Sequence, residues 1–132
     1  MKLSADIKIL LVHDSPPQRK TIKNMLKQLG FNNIQECEHG GAGWNSLVEL
    51  KKVGKKADFI ISDFHMPEIN GLELLQKVRE DSDLKGVPFL MITAGTNRND
   101  TMATVKAGVS DFITQPITMD KLKDKIINCF SK

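Results

Sequence analysis

Several features that assign a chain to a class are missing from this one. It has only two cysteines, Cys37 and Cys129, too far apart for a metal or redox spacing. They are expected to be buried, inert thiols in a reducing compartment. No apolar run approaches the roughly 18 residues of a membrane span. The opening "MKLSADIK" lacks the apolar stretch of a secretory signal, so a cytoplasmic location without membrane insertion is the default. There is no internal repeat, low-complexity stretch or linker, and a single domain over 1–132 with no output domain is expected. No glycine-rich nucleotide loop occurs, which disfavours an enzyme acting on an outside substrate. Net charge is only +3. The lysines of "KKVGKK" (51–56) and "KLKDK" (121–125) therefore read as solvated helix faces rather than a nucleic-acid surface.

What is present is regular. Five short apolar runs recur: "IKILLV" (7–12), "IQEC" (34–37), "FIIS" (59–62), "PFLMI" (88–92) and "DFIT" (111–114). Three are apolar on successive residues, the pattern of strands buried on both faces in a parallel sheet. Amphipathic segments separate them. In 16–29, Ile22, Met25, Leu26 and Leu29 form one helical stripe. Ser15 suits its N-cap, Pro16 or Pro17 its first turn and Gly30 its end. The segment 42–53 carries Trp44, Leu47, Val48 and Leu50, and 71–80 carries Leu72, Leu75 and Val78. The segment 98–107 carries Met102, Ala103 and Val105, and 119–130 carries Leu122, Ile126 and Phe130. Strand and helix alternate five times, which predicts an α/β fold with an open, doubly wound parallel sheet.

In such a sheet, functional groups sit just past the carboxyl ends of the strands. Those ends supply His13 and Asp14, Asp63, Thr93 and Gln115, each following an apolar run. Two carboxylates with backbone carbonyls make a hard oxygen site suited to Mg²⁺. A cation beside Asp63 would neutralise an incoming phosphoryl group and allow in-line attack by the carboxylate. The plainer reading of Asp14 is a helix cap, and for that residue alone the two are about evenly weighted.

The stretches "LKQLGFNNIQECEHG", "ISDFHMPEINGLELL" and "DFITQPIT" carry a resemblance over essentially the whole chain. The sequence resembles the receiver domain of two-component response regulators, in its single-domain chemotaxis form. That resemblance implies a five-stranded flavodoxin-like sheet in the order 2-1-3-4-5. It implies Asp63 as the phosphorylated aspartate. Asp14 matches a direct Mg²⁺ ligand, and the backbone carbonyl of His65 the third protein ligand. Thr93 matches the switch hydroxyl and Phe112 the aromatic that moves with it. Met66, Pro67 and Gly71 match the turn after the phosphorylation site, and relatives usually have a cis bond before the proline matching Pro116. A sensor histidine kinase is the implied phosphate donor. A flagellar motor switch component, reached through the face of the fourth helix, fifth strand and fifth helix, is the implied output partner of a monomer. Asn97, Thr101, Phe112 and Lys125 lie on that face, and Asn97 and Thr101 depart from the residue types of motor-binding relatives.

Two positions depart from the family pattern. His13 stands where the outer acid of the acidic pair is usual, and Gln115 where the lysine is usual. The usual three acids and one lysine sum to about −2, and two acids with neutral His13 and Gln115 again sum to about −2. Gln115 can donate a hydrogen bond but brings no charge, so the link from phosphorylation to the switch should weaken. Three readings of His13 stay open. It can be a neutral strand-end histidine, it can pair with Asp63 in place of the lysine, or it can ligate a softer ion such as Zn²⁺, Ni²⁺ or Mn²⁺. His39 reads as an exposed loop residue and Trp44 as packing. His65 and Gly95 would flank the pocket mouth. Function divides between a phosphorylation-controlled signalling module and a degenerate receiver that binds partners constitutively or drains phosphate. Restoring the outer acid in His13→Asp is expected to strengthen Mg²⁺ binding; a fluorescence or NMR titration with no gain would contradict this.

Overall fold

The computed structural model describes residues 4–94 and 97–131. Among them, strand and helix alternate as β1 (Ile9–Val12), α1 (Pro16–Gln28), β2 (Ile34–Cys37), α2 (Gly40–Lys52) and β3 (Phe59–Asp63). There follow α3 (Gly71–Glu80), β4 (Phe89–Thr93), α4 (Arg98–Lys106), β5 (Asp111–Thr114) and α5 (Met119–Phe130). The strands form one parallel sheet in the order β2-β1-β3-β4-β5. This is the expected doubly wound architecture. Both cysteines are buried, as anticipated, and no described helix is long and apolar enough to cross a membrane.

Alternation along each strand divides the core in two. Leu10, Val12, Ile60, Phe89 and Met91 point to one side, where Leu47 of α2 and Leu74, Leu75 and Val78 of α3 cover them. Ile9, Leu11, Phe59, Ile61, Leu90 and Ile92 point to the other, against Ile22 and Leu26 of α1 and Leu122 and Ile126 of α5. All four residues of β1 are fully buried. Such a strand has no polar face, and its first polar side chains appear where it ends.

The helix ends follow local chemistry. Ser15 Oγ accepts from the Gln18 N–H at 3.4 Å, and the first turn of α1 holds the proline pair. Gly30, just past the end of α1, has φ +102°, a conformation glycine adopts without penalty. Asn70 and Glu73 exchange bonds in a capping box at the start of α3. His39 is not a plain loop residue. It is the N-cap of α2, its Nδ1 accepting from the Ala42 N–H at 3.1 Å, and α2 starts at Gly40 rather than at 42. Trp44 packs partly buried against the core, with the Lys77 ammonium 5.4 Å from its ring centre.

The apolar stripe expected on α4 is corrected by the structure. Met102 is 51% and Val105 58% exposed, whereas Thr104 is fully buried. Thr104 Oγ1 donates to the Asp100 carbonyl at 2.6 Å, so its hydroxyl enters the interior without an unmet bond. The inner face of α4 is therefore set by a back-bonded threonine, and the larger apolar side chains face outward.

Polar clamps tie the connections together. The half-buried Arg79 donates to the carbonyls of Gly108 (2.8 Å), Lys85 (3.0 Å) and Val87 (2.6 Å). It thus holds the α3–β4 and α4–β5 turns to one guanidinium, and burial pulls its pKa down. Lys51 pairs with Asp81 at 2.8 Å and Asp83 at 3.3 Å. The loop after β3 is held by close backbone approach. A Cβ on Gly71 would collide with the Asp63 carbonyl and lie 2.7 Å from Met91 Sδ, and one on Gly40 would collide with the Ile69 carbonyl. Gly71→Ala is therefore expected to cost about 1–3 kcal/mol, read as a lower urea midpoint; an unchanged midpoint would show that the loop yields freely.

Candidate functional site

The register of the sheet assembles the site. Val12 lies opposite Ser62 and Asp63 opposite Ile92, so continuing β1 by one residue brings His13 level with Asp63. His13 and Asp14 leave β1, Asp63 ends β3 and Thr93 ends β4, all at the carboxyl edge. Ligand atoms of His13, Asp14 and Asp63 lie within 4.8 Å of one another.

His13 is 2% exposed and fixed at three points. Its N–H donates to the Cys37 carbonyl at 3.1 Å. Its own carbonyl accepts from Arg19 Nη1 at 2.8 Å, and ring Nδ1 accepts from the Ser15 N–H at 3.1 Å. Because Nδ1 accepts, the neutral ring carries its proton on Nε2. That nitrogen is buried, has no hydrogen-bond partner among the described residues, and lies 3.9 Å from Asp63 Oδ2. Nδ1 also stands 3.6 Å from Asp14 Oδ1, whose side chain is 40% exposed.

The Asp63 side chain is 14% exposed. Burial raises its pKa, with Asp14 adding in the same direction and charge on His13 opposing it. A half-desolvated carboxylate held at elevated energy is primed to react with an electrophile or a cation.

Thr93, partly buried, accepts the Gln115 N–H at its carbonyl at 3.2 Å. Phe112 is partly buried and packs against the α2–α3 side of the core. The His65 side chain is exposed, its ring edge-on to Phe64 with centroids 5.0 Å apart. Gly95, expected to open the other side of the mouth, lies outside the described residues. The Gln115–Pro116 bond is cis.

Gln115 departs from the expected convergence. Its side chain is turned to α1, where Nε2 donates to Gln18 Oε1 at 3.0 Å. It lines a groove of about 510 Å³ with Pro17, Ile22, Pro116 and Ile117. The nearby Lys121 does not replace the family lysine at the cluster, since its Nζ donates to the carbonyls of Thr114 (2.8 Å) and Pro116 (2.9 Å). The sequence reading missed Gln18, Arg19 and Ser15 as supports of the site. Ser15 and Arg19 follow His13 by two and six residues, so a helix starting immediately after a strand was the available signal.

The family model "Response regulator receiver domain" matches residues 9–127. The chain belongs to the response regulator receiver family. It is 39% identical over 130 residues to "Chemotaxis protein CheY-3" of Vibrio cholerae, covering 98% of this chain and 96% of that one. It is 40% identical over 120 residues to "Chemotaxis protein CheY1" of Helicobacter pylori, covering 91% and 94%. The high-resolution structure of the chemotaxis response regulator CheY4 of Vibrio cholerae superposes with a TM-score of 0.81 at 25% identity, covering 94% of this chain and 98% of that one.

Receiver domains imply a resident Mg²⁺, and the donor set can be tested against it. The carboxylates of Asp14 and Asp63 supply hard oxygen donors within one cluster. With Nδ1 accepting from the Ser15 N–H, the hydrogen of a neutral His13 ring falls on Nε2, which then offers no lone pair. The oxygen part of the site thus fits Mg²⁺, while the histidine supports neither that ion nor a softer one as it stands.

The raised Asp63 pKa gives a stability test. The folded state holds this proton more tightly than the unfolded chain, so ionising Asp63 costs stability as pH rises from below the unfolded pKa through the folded one. Without divalent cations, Asp63→Asn is expected to melt above the parent protein at pH 7, the gap closing in acid. Equal melting at pH 7 would contradict the burial argument.

Proposed function

We propose that this receiver accepts a phosphoryl group on Asp63 from a sensor histidine kinase, in cytoplasmic chemotaxis-type signalling. The observation that carries this is the Asp63 carboxylate itself. It ends a buried strand, is partly desolvated, and is grouped with Asp14 at the sheet edge. The curated relatives named above are chemotaxis proteins.

In the transfer, an Asp63 carboxylate oxygen forms a bond to the phosphorus of the donor phosphohistidine. The N–P bond breaks, and its electron pair returns to the donor imidazole nitrogen. Asp14, Asp63 and the His65 carbonyl would hold Mg²⁺, which supplies charge neutralisation for the phosphoryl oxygens. The protein acts chemically only on itself.

The output surface is the face of α4, β5 and α5. Met102 and Val105 on α4 and Ile127 on α5 are exposed apolar side chains there, an arrangement that supports docking of a protein partner such as a flagellar motor switch component. Asn97 and Thr101 are engaged locally, capping α4 and bonding the Asn97 carbonyl. Lys125 stands 3.5 Å from Asp111. These side chains leave the apolar ones as the face's chief contacts.

A second reading is favoured by one specific observation. Gln115 is spent on Gln18, so nothing at the family lysine position engages Asp63. A receiver that takes phosphate without transmitting it, or binds partners constitutively, follows from that. Intact-mass spectrometry after incubation with acetyl phosphate, with and without Mg²⁺, tests the acceptor role. A Mg²⁺-dependent phosphoryl adduct that disappears in Asp63→Asn is expected. Its absence from the parent protein would leave the constitutive module.

A further inference from the structure

We propose that His13, through its Nε2–H, is the hydrogen-bond donor that engages the phosphoryl group on Asp63, so that this site reads phosphate from β1 instead of from the residue after β5. The inference rests on Asp63 being the acceptor.

Three observations lead there. First, the tautomer is fixed from outside the cluster. The Ser15 N–H occupies Nδ1 at 3.1 Å, leaving the ring hydrogen on Nε2. Second, Nε2 is the buried polar side-chain nitrogen without a partner among the described residues. It faces Asp63 Oδ2 across 3.9 Å, too far for a hydrogen bond. A buried donor with no acceptor carries the desolvation cost of an unmade bond. Phosphorylating Asp63 extends oxygens beyond the carboxylate and adds negative charge there. A phosphoryl oxygen entering this gap gives the orphan donor a charge-assisted partner. Third, among the described residues the long amide and ammonium side chains that follow β5 are engaged elsewhere. Gln115 Nε2 donates to Gln18 Oε1, and Lys121 Nζ donates to the carbonyls of Thr114 and Pro116.

The geometry asks for no rearrangement of His13. Its backbone is held on one side by Cys37 and on the other by Arg19, which is itself anchored on Glu36 at 3.2 Å. His13 keeps its proton throughout, and the bonds formed and broken are those of the transfer to Asp63. The same tautomer removes Nε2 from metal ligation.

The test uses the full chain labelled with ¹⁵N-histidine, together with His13→Gln, which keeps a side-chain N–H donor, and His13→Leu, which removes it. Long-range ¹H–¹⁵N spectra are recorded before and after adding beryllofluoride with Mg²⁺, and the His13 signals are assigned by their loss in His13→Gln. The expected result is an unprotonated Nδ1 and a protonated Nε2. On beryllofluoride addition the Nε2–H resonance moves downfield while Nδ1 stays in place. With acetyl phosphate, His13→Leu is expected to hold roughly tenfold less adduct than the parent protein, and His13→Gln to recover most of it. An adduct on Asp63 with an unmoved Nε2, an adduct in His13→Leu equal to the parent's, or an unprotonated Nε2 would overturn the donor role and leave the acceptor role intact. No adduct on Asp63 in the parent protein would overturn both.

Discussion

The parallel register of β1, β3 and β4 is the constraint on which the rest depends. These strands are buried on both faces, so no side chain along them is available for chemistry. The sheet can present polar groups only where strands stop, and the register decides which stops coincide. Val12 pairs with Ser62 and Asp63 with Ile92, and His13, Asp63 and Thr93 emerge together. A slip of one residue would exchange the two core faces as well as move the site. Packing and function are thus fixed by one set of backbone hydrogen bonds, and neither can drift without the other.

Within that frame the charged groups around the site take up distinct tasks. Asp63 is desolvated by burial at the sheet edge, and Gly71 lets the following helix start against its backbone carbonyl. Here the side chain facing the carboxylate is a buried imidazole, 3.9 Å away, aimed by Ser15 and braced by Arg19. The positive charges nearby are applied to the scaffold. Lys121 holds the turn after β5, and Arg19 and Lys23 converge on Glu36, whose pKa they lower, Lys23 most. The carboxylates of Asp14 and Asp63 remain grouped as oxygen donors that suit a hard cation.

The architecture was legible in the sequence because its signals are local and redundant. Uninterrupted apolar runs marked β1, β3 and β4. Ser15, the proline pair and Gly30 bounded α1, and polar residues after each run located the edge. What was not legible depended on rotamers and on contacts far apart in the chain. Gln115 was expected to face Asp63 because it follows β5, yet its amide finds Gln18, 97 residues away. The direction an exposed side chain takes leaves no trace in composition. Thr104 was overlooked for a different reason. Hydropathy ranks Met102 and Val105 above it, but a hydroxyl bonded to its own helix can be buried where they are not. The open choice at His13 narrowed only when the partner of Nδ1 was known, and that partner is a backbone N–H, identical in every residue type but proline.

The two halves of the core differ in when the chain can complete them. Every buried member of the α2–α3 side lies between Leu10 and Met91. The opposite side needs Ile22 and Leu26 from the first helix and Leu122, Ile126 and Cys129 from the last. During synthesis, then, one side of the sheet can be covered while the other still waits for its final helix, its apolar strand faces open to solvent or to a chaperone. Helices α1 and α5 close that side, and bringing residues of both into one cluster carries the entropic cost of a long loop.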